Sequence, residues 1–296
     1  MAYKSLLTIA TSAEGVLAAV TAAAQIALRT DAHLDVLALG VDRTQVGFSY
    51  VGSGAVIIAA AMDRAEDDAR AIEKAVTAAL AAQPPGLRVA VDTAVAQLGA
   101  LTDVVAARAR YADLVVLRRP YGTGRGIEDE AVIEAALFGG MAPVLVVPDI
   151  DISGTGRPDT GTPGTGMPAT DPRHVVLAWN QSREALVATR RAMPLLRRAG
   201  MVSIVVIDPP AHGSERSDPG GMLCQMLVRH GVRAEVTVLA KSLPRVSDVL
   251  SRHLRDANAD LLVMGAYGHS RLREAILGGA TRDMLETAKV PVLMAH

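Results

Sequence analysis

The sequence has a single cysteine, Cys224, among its 296 residues. One cysteine excludes a disulfide within the chain and a cysteine-rich metal site. Only 3% of the residues are aromatic, which argues against the stacking platforms that bind single-stranded nucleic acid. The formal net charge is −1, so the overall charge gives no reason to expect a nucleic acid or an anionic membrane as partner.

Long apolar runs are also missing from the sequence. No segment has the 18 or more apolar residues typical of a membrane-spanning helix, and Met1–Gly15 has a short apolar strand pattern in place of a signal-peptide core. We therefore expect a soluble cytoplasmic protein. Hydrophobic residues are abundant, at 50%, and the length suits two domains with packed cores.

Short apolar runs alternate with longer helical patterns along the whole chain. In the first half, strands are predicted at Ser5–Ala10, Leu34–Leu39, Arg88–Val95, Asp113–Leu117 and Val144–Val147. Helices are predicted at Glu14–Thr30, Ile58–Ala82, Leu101–Arg110 and Glu128–Phe138, with a glycine-containing loop at Val41–Ala55. Alternating strands and helices predict an α/β fold in which parallel strands are joined by right-handed crossovers.

The same order of patterns returns in the second half of the chain. Strands are predicted at Val175–Trp179, Ser203–Ile207, Arg233–Leu239, Leu261–Met264 and Val292–Ala295. Helices are predicted at Arg183–Ala199, Gly220–His230, Arg245–Ala257 and Arg282–Ala288. Between the halves, Asp149–Pro172 is rich in glycine, proline, threonine and aspartate and is predicted to be a linker. The predicted domains are therefore residues 1–148 and 173–296.

The two halves also share short stretches of sequence. Tyr111–Val116 (YADLVV) matches Asn258–Val263 (NADLLV), with the aspartates 147 residues apart. The first strands align Thr11 with Asn180, 169 residues apart. The first copy is therefore longer between these points, and the extra residues are expected in the Val41–Ala55 loop and the helix after it.

A glycine-rich stretch follows the fourth predicted strand of the second half. It reads MGAYGHSRLREAILGGATRDM from Met264 to Met284, with two residues between Gly265 and Gly268 and nine residues between Gly268 and Gly278. A strand, a glycine turn and a helix start direct backbone N–H groups at one place, where a phosphate binds well. The plainer alternative is that these glycines only permit a tight turn between strand and helix.

The Gly-x2-Gly-x9-Gly spacing resembles the nucleotide loop of the universal stress protein family. Lys289–His296 (KVPVLMAH) resembles the last strand of that family, and Val175–Ser182 (VVLAWNQS) resembles the first. The resemblance implies two tandem, doubly wound, five-stranded parallel-sheet domains of the Rossmann-like adenine nucleotide alpha hydrolase kind, with strand order 3-2-1-4-5. It also implies a stress-response module that binds ATP or another adenine nucleotide, either alone or together with Mg²⁺.

Carried over by position, the resemblance implies a nucleotide site in the second half only. Its residues are Trp179, Asn180, Gln181, Ile207, Asp208, Gly265, Gly268, His269, Gly278, Gly279, Ala280 and Thr281. Arg271, Arg273 and Arg282 add positive charge around the loop. The alternative for Arg271 and Arg273 is that they are solvated residues at the start of a helix.

Two positions of this site depart from the family pattern. The family has Ser or Thr where this chain has Gly279, so one side-chain hydrogen bond is lost, and Thr281 is a substitute source of a hydroxyl. The family commonly has Asp where this chain has Asn180. Ser182 suits a helix N-cap as well as a ligand contact.

The first half lacks the loop. Arg118-Arg119-Pro120-Tyr121 stands where the second half has Gly265–Gly268, and Gly139-Gly140 is too close to Pro143 to complete the spacing. We therefore expect the first half to bind no nucleotide in the family manner and to pair with the second as an internal pseudo-dimer. Further homodimerisation is left open.

Two alternatives to a nucleotide-binding module remain at this point. The departures at Gly279 and Asn180 favour an interaction module that needs no ligand, and the third hypothesis is a slow ATP hydrolase or phosphotransferase. No residue is assigned a catalytic role, and the histidines lack metal-ligand spacing.

Overall fold

The computed structural model of the protein describes residues 2–44, 54–149, 171–209, 217–266 and 279–296. The chain divides into two compact units. One unit is Tyr3–Val144, and the other is Leu145–His296 together with the first two residues. Each unit is an α/β structure built on parallel strands.

The first unit contains four strands, β1 (Ser5–Ala10), β2 (His33–Asp42), β3 (Arg88–Gln97) and β4 (Leu114–Arg118). Its helices are α1 (Val16–Thr30), α2 (Gly54–Ala81), α3 (Leu101–Ala109) and α4 (Ile127–Glu134), and α4 continues into a π-helical turn at Ala135–Gly139. The strands lie in the order β3-β2-β1-β4 and all pair in parallel. Strand β5 (Val144–Val147) crosses the boundary between the units.

The second unit repeats this arrangement with β6 (His174–Ala178), β7 (Met201–Ile207), β8 (Ala234–Leu239), β9 (Leu261–Gly265) and β10 (Val292–Ala295). Its helices are α5 (Arg183–Leu196), α6 (Gly221–Arg229), α7 (Val246–Asp256) and α8 (Gly279–Thr287). The order β8-β7-β6-β9-β10 is the expected 3-2-1-4-5 order, and the pairing is again parallel. The fold class predicted from the sequence is confirmed.

Burial explains why the central strands are mostly apolar. Every residue of β4 is buried, as are all but the first residue of β1. Continuous apolar runs are typical of parallel strands that helices cover on both faces. Strand β8, at the end of the strand order, has no fully buried residue, which fits its alternating sequence.

The register of the strands confirms the internal repeat. Leu6 pairs with Leu114 in the first unit, and Val175 pairs with Leu261 in the second. These pairs have the 169-residue and 147-residue spacings found in the sequence. The two halves therefore superpose position by position at their first and fourth strands.

The repeated aspartate has a structural role in both units. Asp113 accepts hydrogen bonds from the backbone N–H groups of Lys4 and Ser5, at 2.7 and 3.1 Å. Asp260 accepts equivalent bonds from Arg173 and His174, each at 3.0 Å. In each unit the carboxylate thus ties the start of the fourth strand to the start of the first.

The structure corrects the bounds of the predicted loop at Val41–Ala55. Strand β2 extends to Asp42 because its pairing with β3 continues to Gln97, and α2 already begins at Gly54. Residues 45–53 lie outside the described part. Helix α2 has 28 residues against nine in α6, so it contains much of the extra length of the first half, as expected.

A polar cluster lies at the amino end of the strands in the second unit. The Nδ1 of His174 donates to the Ala257 carbonyl oxygen at 3.0 Å, and its Nε2 lies 2.7 Å from the Ser203 hydroxyl. Ser203 is also 3.2 Å from the Glu235 carboxylate. On α7, burial and the neighbouring His174 lower the pKa of His253, against the raising effects of Asp256 and Glu235.

We expect His253 to make the fold less stable in mild acid. Because its pKa in the folded state is below the ordinary value of 6.5, the unfolded chain binds more protons below that pH. The free energy of unfolding should therefore fall as pH falls through 6.5 towards the folded-state pKa. The measurement is urea unfolding at about pH 7.5 and about pH 5.5.

The matched variant is His253→Gln, which removes the titrating group. Its unfolding free energy should fall less between the two pH values than that of the unmodified protein. An equal fall in both proteins would show that other groups cause the pH dependence.

Candidate functional site

Several of the predicted site residues lie at the carboxyl ends of the strands in the second unit. Trp179, Asn180 and Gln181 follow β6, Asp208 follows β7, and Gly265 ends β9. Strand β6 lies between β7 and β9, and the chain runs outward in opposite directions from β6 and β9. This reversal is a topological switch point, where open α/β sheets bind their ligands.

A tight turn joins β6 to α5. Gln181 has a positive φ of 63°, and the Asn180 Oδ1 accepts a hydrogen bond from the Ser182 N–H at 3.2 Å. The Ser182 hydroxyl accepts from the Ala185 N–H at 3.1 Å and caps the helix. The N-cap interpretation of Ser182 is therefore confirmed, and Asn180 shapes the turn with its side-chain oxygen while remaining exposed.

Gly265 is required where β9 passes the start of α5. A Cβ atom there would lie 2.5 Å from the Ala185 nitrogen and 2.8 Å from the Glu184 carbonyl carbon. Only glycine lets the backbone of α5 approach the strand this closely. The result is a strand end without a side chain beside the N-terminus of α5, whose peptide dipoles favour negative charge.

Residues at the start of α8 are exposed, including the position where the family pattern has a hydroxyl. Gly279 and Ala280 are exposed, and a Cβ atom at Gly279 would meet none of the described residues within 4 Å. Thr281, the substitute hydroxyl, is only 4% exposed. Gly268, His269 and Gly278 lie outside the described residues, as do Arg271 and Arg273.

The end of β7 presents main-chain groups and one carboxylate. Asp208 is exposed and has a positive φ of 51°, while its N–H donates to the Leu239 carbonyl oxygen at 2.9 Å. Ile207 is half-buried.

Trp179 is the largest side chain at this edge and the single tryptophan of the chain. It is 9% exposed, and its backbone N–H donates to the Val205 carbonyl oxygen at 2.9 Å. Within the described residues the buried indole Nε1 has no hydrogen-bond partner. A buried donor without an acceptor is unusual and calls for a physical explanation.

The equivalent edge of the first unit is filled by an ion pair. Arg118, at the position of Gly265, is 8% exposed. Its Nε and Nη2 donate to the Asp129 Oδ1 at 3.0 and 2.8 Å, and its Nη1 donates to the Glu14 carbonyl oxygen at 2.6 Å. The guanidinium thus reaches the start of α1, which in the second unit corresponds to the start of α5.

Thr11 and Gly126 complete this cluster. Thr11, at the position of Asn180, donates from its hydroxyl to the Asp129 Oδ1 at 3.0 Å. The Gly126 N–H donates to the Asp129 Oδ2 at 2.9 Å, at the start of α4. Each oxygen of the buried carboxylate therefore has a donor, which is the condition under which a buried ion pair persists.

A second acidic residue in the first turn of α4 is also paired. Burial is the largest influence and acts to raise the pKa of the Glu128 carboxyl. The hydrogen bond from Arg43, a backbone hydrogen bond and the charges of Arg43 and Arg118 together outweigh burial and hold the pKa below its ordinary value. Glu128 is 4% exposed. The carboxyl edge of the first unit is therefore occupied by its own charged side chains.

The paired glycines of the first unit serve helix packing. Cβ atoms at Gly139 and Gly140 would each lie 2.6 Å from a Cβ atom of α3, in Ala106 and Ala109 respectively. These glycines let the π-helical turn approach α3. This contact explains their presence without a ligand.

Sequence reasoning identified Arg118 as a departure but missed its partner. Asp129 is 118 residues from Thr11, and its position in a helical pattern gave no sign of burial. Among the residues that the structure describes, no cluster of three or more His, Cys, Asp or Glu side chains is arranged to hold a metal ion. In the same residues, no helix is long and apolar enough to cross a membrane.

Comparison with known proteins finds a family match for the second half of the chain. The model of the universal stress protein family matches residues 172–296. A universal stress protein of Synechocystis is 32% identical over 100 residues, which cover 31% of this chain and 34% of that protein. The match thus spans about a third of the length of this relative.

Solved structures show that the fold extends over both halves. A universal stress protein from Archaeoglobus fulgidus has a TM-score of 0.65 and 15% identity, covering 98% of this chain and 95% of that one. A functionally unknown protein from Pseudomonas aeruginosa has a TM-score of 0.56 and 15% identity, covering 99% and 92%. At these identities the likeness concerns the fold alone.

We expect the ion pair of the first unit to be essential to its stability. Asp129→Asn should lower the free energy of unfolding by about 3 kcal/mol or more, because it leaves the Arg118 guanidinium buried without its counter-charge. Urea unfolding at neutral pH measures the loss.

The control is the double variant Arg118→Met with Asp129→Asn, in which neither charge is buried. It should be more stable than Asp129→Asn alone, because the two substitutions are coupled. Strictly additive losses would contradict a direct pairing.

The two glycines at the site edge should respond differently to alanine. Gly265→Ala should lower the free energy of unfolding by about 1–3 kcal/mol, because the new Cβ must displace the backbone of α5. Gly279→Ala meets none of the described residues and should leave the stability unchanged or slightly raised, since alanine favours helix. The same urea titration compares the two variants, and equal losses would refute the assigned contact.

Proposed function

We propose that the chain is a tandem universal stress protein that binds an adenine nucleotide of the ATP type in its C-terminal half. The main observation behind the proposal is a difference between equivalent positions of the two units. Gly265 leaves the strand end bare, whereas Arg118 and Asp129 fill the same place in the first unit. The family match at residues 172–296 supports the same half.

In this proposal the phosphates lie over the glycine loop and the base lies near the ends of β6 and β7. Gly265 and Gly279 border the phosphate end, with Gly268, His269 and Gly278 between them in the sequence. The N-terminus of α5 adds a favourable dipole for a phosphate. Trp179, Asn180, Gln181, Ile207 and Asp208 border the base and ribose.

The proposed role is regulatory and not enzymatic. No residue at the described edge is assigned as a base or nucleophile, and Mg²⁺ would enter with the nucleotide phosphates. The first half, with its edge closed, is proposed to act as an internal pairing partner rather than as a second receptor. The same proposal includes a cytoplasmic location for the protein and the formation of a homodimer by two chains.

A second candidate is an interaction module that needs no ligand. It is favoured by Gly279, which lacks the hydroxyl of the family pattern, and by Asn180, whose side-chain oxygen is engaged in its own turn. The two candidates differ in one measurable respect, because only the first predicts saturable binding of an adenine nucleotide.

The deciding experiment is a titration with ATP and Mg²⁺ followed by tryptophan fluorescence and by calorimetry. Because Trp179 is the single tryptophan and lies at the proposed site, its emission should change saturably as ATP binds. Mass spectrometry of the denatured protein should also identify any nucleotide that co-purifies. The absence of both heat and emission change up to about 1 mM ATP would reject nucleotide binding and favour the interaction module.

Gly279→Ser is the matched variant. A Cβ atom at this position meets none of the described residues, and a restored hydroxyl should tighten binding by about fivefold, as expected for one hydrogen bond of about 1 kcal/mol. Unchanged affinity would place the phosphates away from the start of α8.

A further inference from the structure

The outer edge of β8 presents backbone groups that pair with no other strand in the described part of the chain. On the inner side, the carbonyl oxygens of Arg233 and Leu239 each accept a hydrogen bond at 2.9 Å from the chain of β7. Alternate residues of a strand direct their N–H and C=O groups to opposite sides. The groups that point away from β7 are therefore those of Ala234, Val236 and Val238. Such an edge can pair with a further strand.

The side chains along this edge are exposed and largely apolar. Val238 is 52% exposed. It pairs with Val206, whose side chain lies 3.5 Å from the Cβ position of Gly220 just before α6, so Val238 is on the α6 face of the sheet. Met222, in the first turn of α6, is 75% exposed. Free edge strands are commonly protected by charges, but Glu235 is the single charged residue of β8.

The edge strand of the first unit, β3, differs in how its charges are used. Its two charged residues, Arg88 and Asp92, each lie within 2.6 Å of an oppositely charged side chain of the same unit. Glu235 has a hydrogen bond with the Ser203 hydroxyl, at 3.2 Å. Neither Glu235 nor Lys241, two residues beyond the end of β8, has an ion pair with any residue that the structure describes, and both are exposed. The charges beside β8 are therefore available to a partner.

A second copy of β8 would satisfy both the backbone groups and these charges. Two copies of one strand pair antiparallel about a two-fold axis, which makes the contact self-complementary. With the axis at Val238, this residue lies opposite its own copy. Glu235 then lies opposite Lys241 of the second copy, and the same charge pair occurs again on the other side of the axis.

Other positions of the axis are less favourable. An axis at Thr237 or at Glu235 places like charges opposite each other, which is destabilising. An axis at Val236 brings no opposite charges together. An axis at Ala234 leaves the exposed Val238 beyond the paired residues. The charges and the exposed valine therefore select the same register.

We propose that two copies of the chain associate by antiparallel pairing of their β8 strands, with Val238 at the two-fold axis and Glu235 facing Lys241 of the second copy. This inference rests on the homodimer in the proposed function and assigns its surface, but it needs no nucleotide. Because the paired strands run in opposite directions, the carboxyl edges of the two second units face opposite ways. The two proposed nucleotide sites are then separate and neither is covered by the pairing.

The first test is analytical ultracentrifugation of the full chain without nucleotide over a range of concentrations. The unmodified protein should form dimers as its concentration rises. Val238→Lys should weaken the association by roughly tenfold or more, because two ammonium groups then meet at the axis. The matched control is Tyr111→Lys in the first unit, where the side chain is 79% exposed, and this variant should associate as the unmodified protein does.

The second test reverses the charges. Lys241→Glu places like charges opposite each other at both symmetric positions and should weaken the association by roughly fivefold or more. Adding Glu235→Lys restores opposite charges and should return the affinity to within about twofold of the original. Circular dichroism verifies that each variant is folded. Lys241→Glu leaves the Glu235–Ser203 contact in place and remains informative if the double variant does not fold.

The outcomes separate this surface from the rest of the proposed function. A protein that is monomeric at every concentration would reject both this inference and the homodimer, whatever its affinity for ATP. A dimer that is unaffected by Val238→Lys and by Lys241→Glu would reject the β8 surface and leave the homodimer standing. A folded double variant that associates no better than Lys241→Glu would reject the proposed register. Absence of ATP binding alongside a dimer sensitive to these substitutions would reject nucleotide binding and support the β8 surface.

Discussion

The parallel pairing of the first and fourth strands is the constraint on which both halves depend. In each unit an aspartate at the start of the fourth strand binds backbone N–H groups at the start of the first, through Asp113 and Asp260. The two strands then run in register to a common carboxyl edge. The residues that follow the first and fourth strands are therefore neighbours, and the identity of these residues decides the chemistry of the carboxyl edge.

The same scaffold has two different edges. In the first unit, Arg118 ends the fourth strand and requires a buried counter-charge, which Asp129 supplies with Thr11 and Gly126 as further donors to it. In the second unit, Gly265 ends the strand, and α5 packs against its bare backbone. One edge is thus closed by its own ion pair, and the other presents the start of a helix beside a strand end that carries no side chain.

Much of the fold could be predicted from the sequence because its signals are local. Apolar runs of four to six residues matched buried parallel strands such as β1 and β4, and the repeated aspartates located equivalent positions. The exceptions were the ends of elements. Strand β2 runs on to Asp42 because β3 pairs with it that far, which no local pattern of residues 40–42 reveals.

The candidate site could be predicted from the sequence only in part. The glycine spacing indicated which half to examine, and Ser182 was identified as a possible cap of α5. The reason for Gly265, however, is a contact with the backbone of Ala185, 80 residues away in the chain. The role of Asp129 likewise depends on a partner in another element, so helical periodicity could not distinguish it from an exposed residue.

The sequence by itself determined the alternation of strands and helices, the duplication and the half in which the glycine loop occurs, since each depends on the order and spacing of residues along the chain. Only the tertiary structure decided that Arg118 and Asp129 close one edge and that the indole N–H of Trp179 is buried without an acceptor among the described residues. These facts depend on which side chains meet across different elements. Burial and pairing arise only when the sheet brings those elements together.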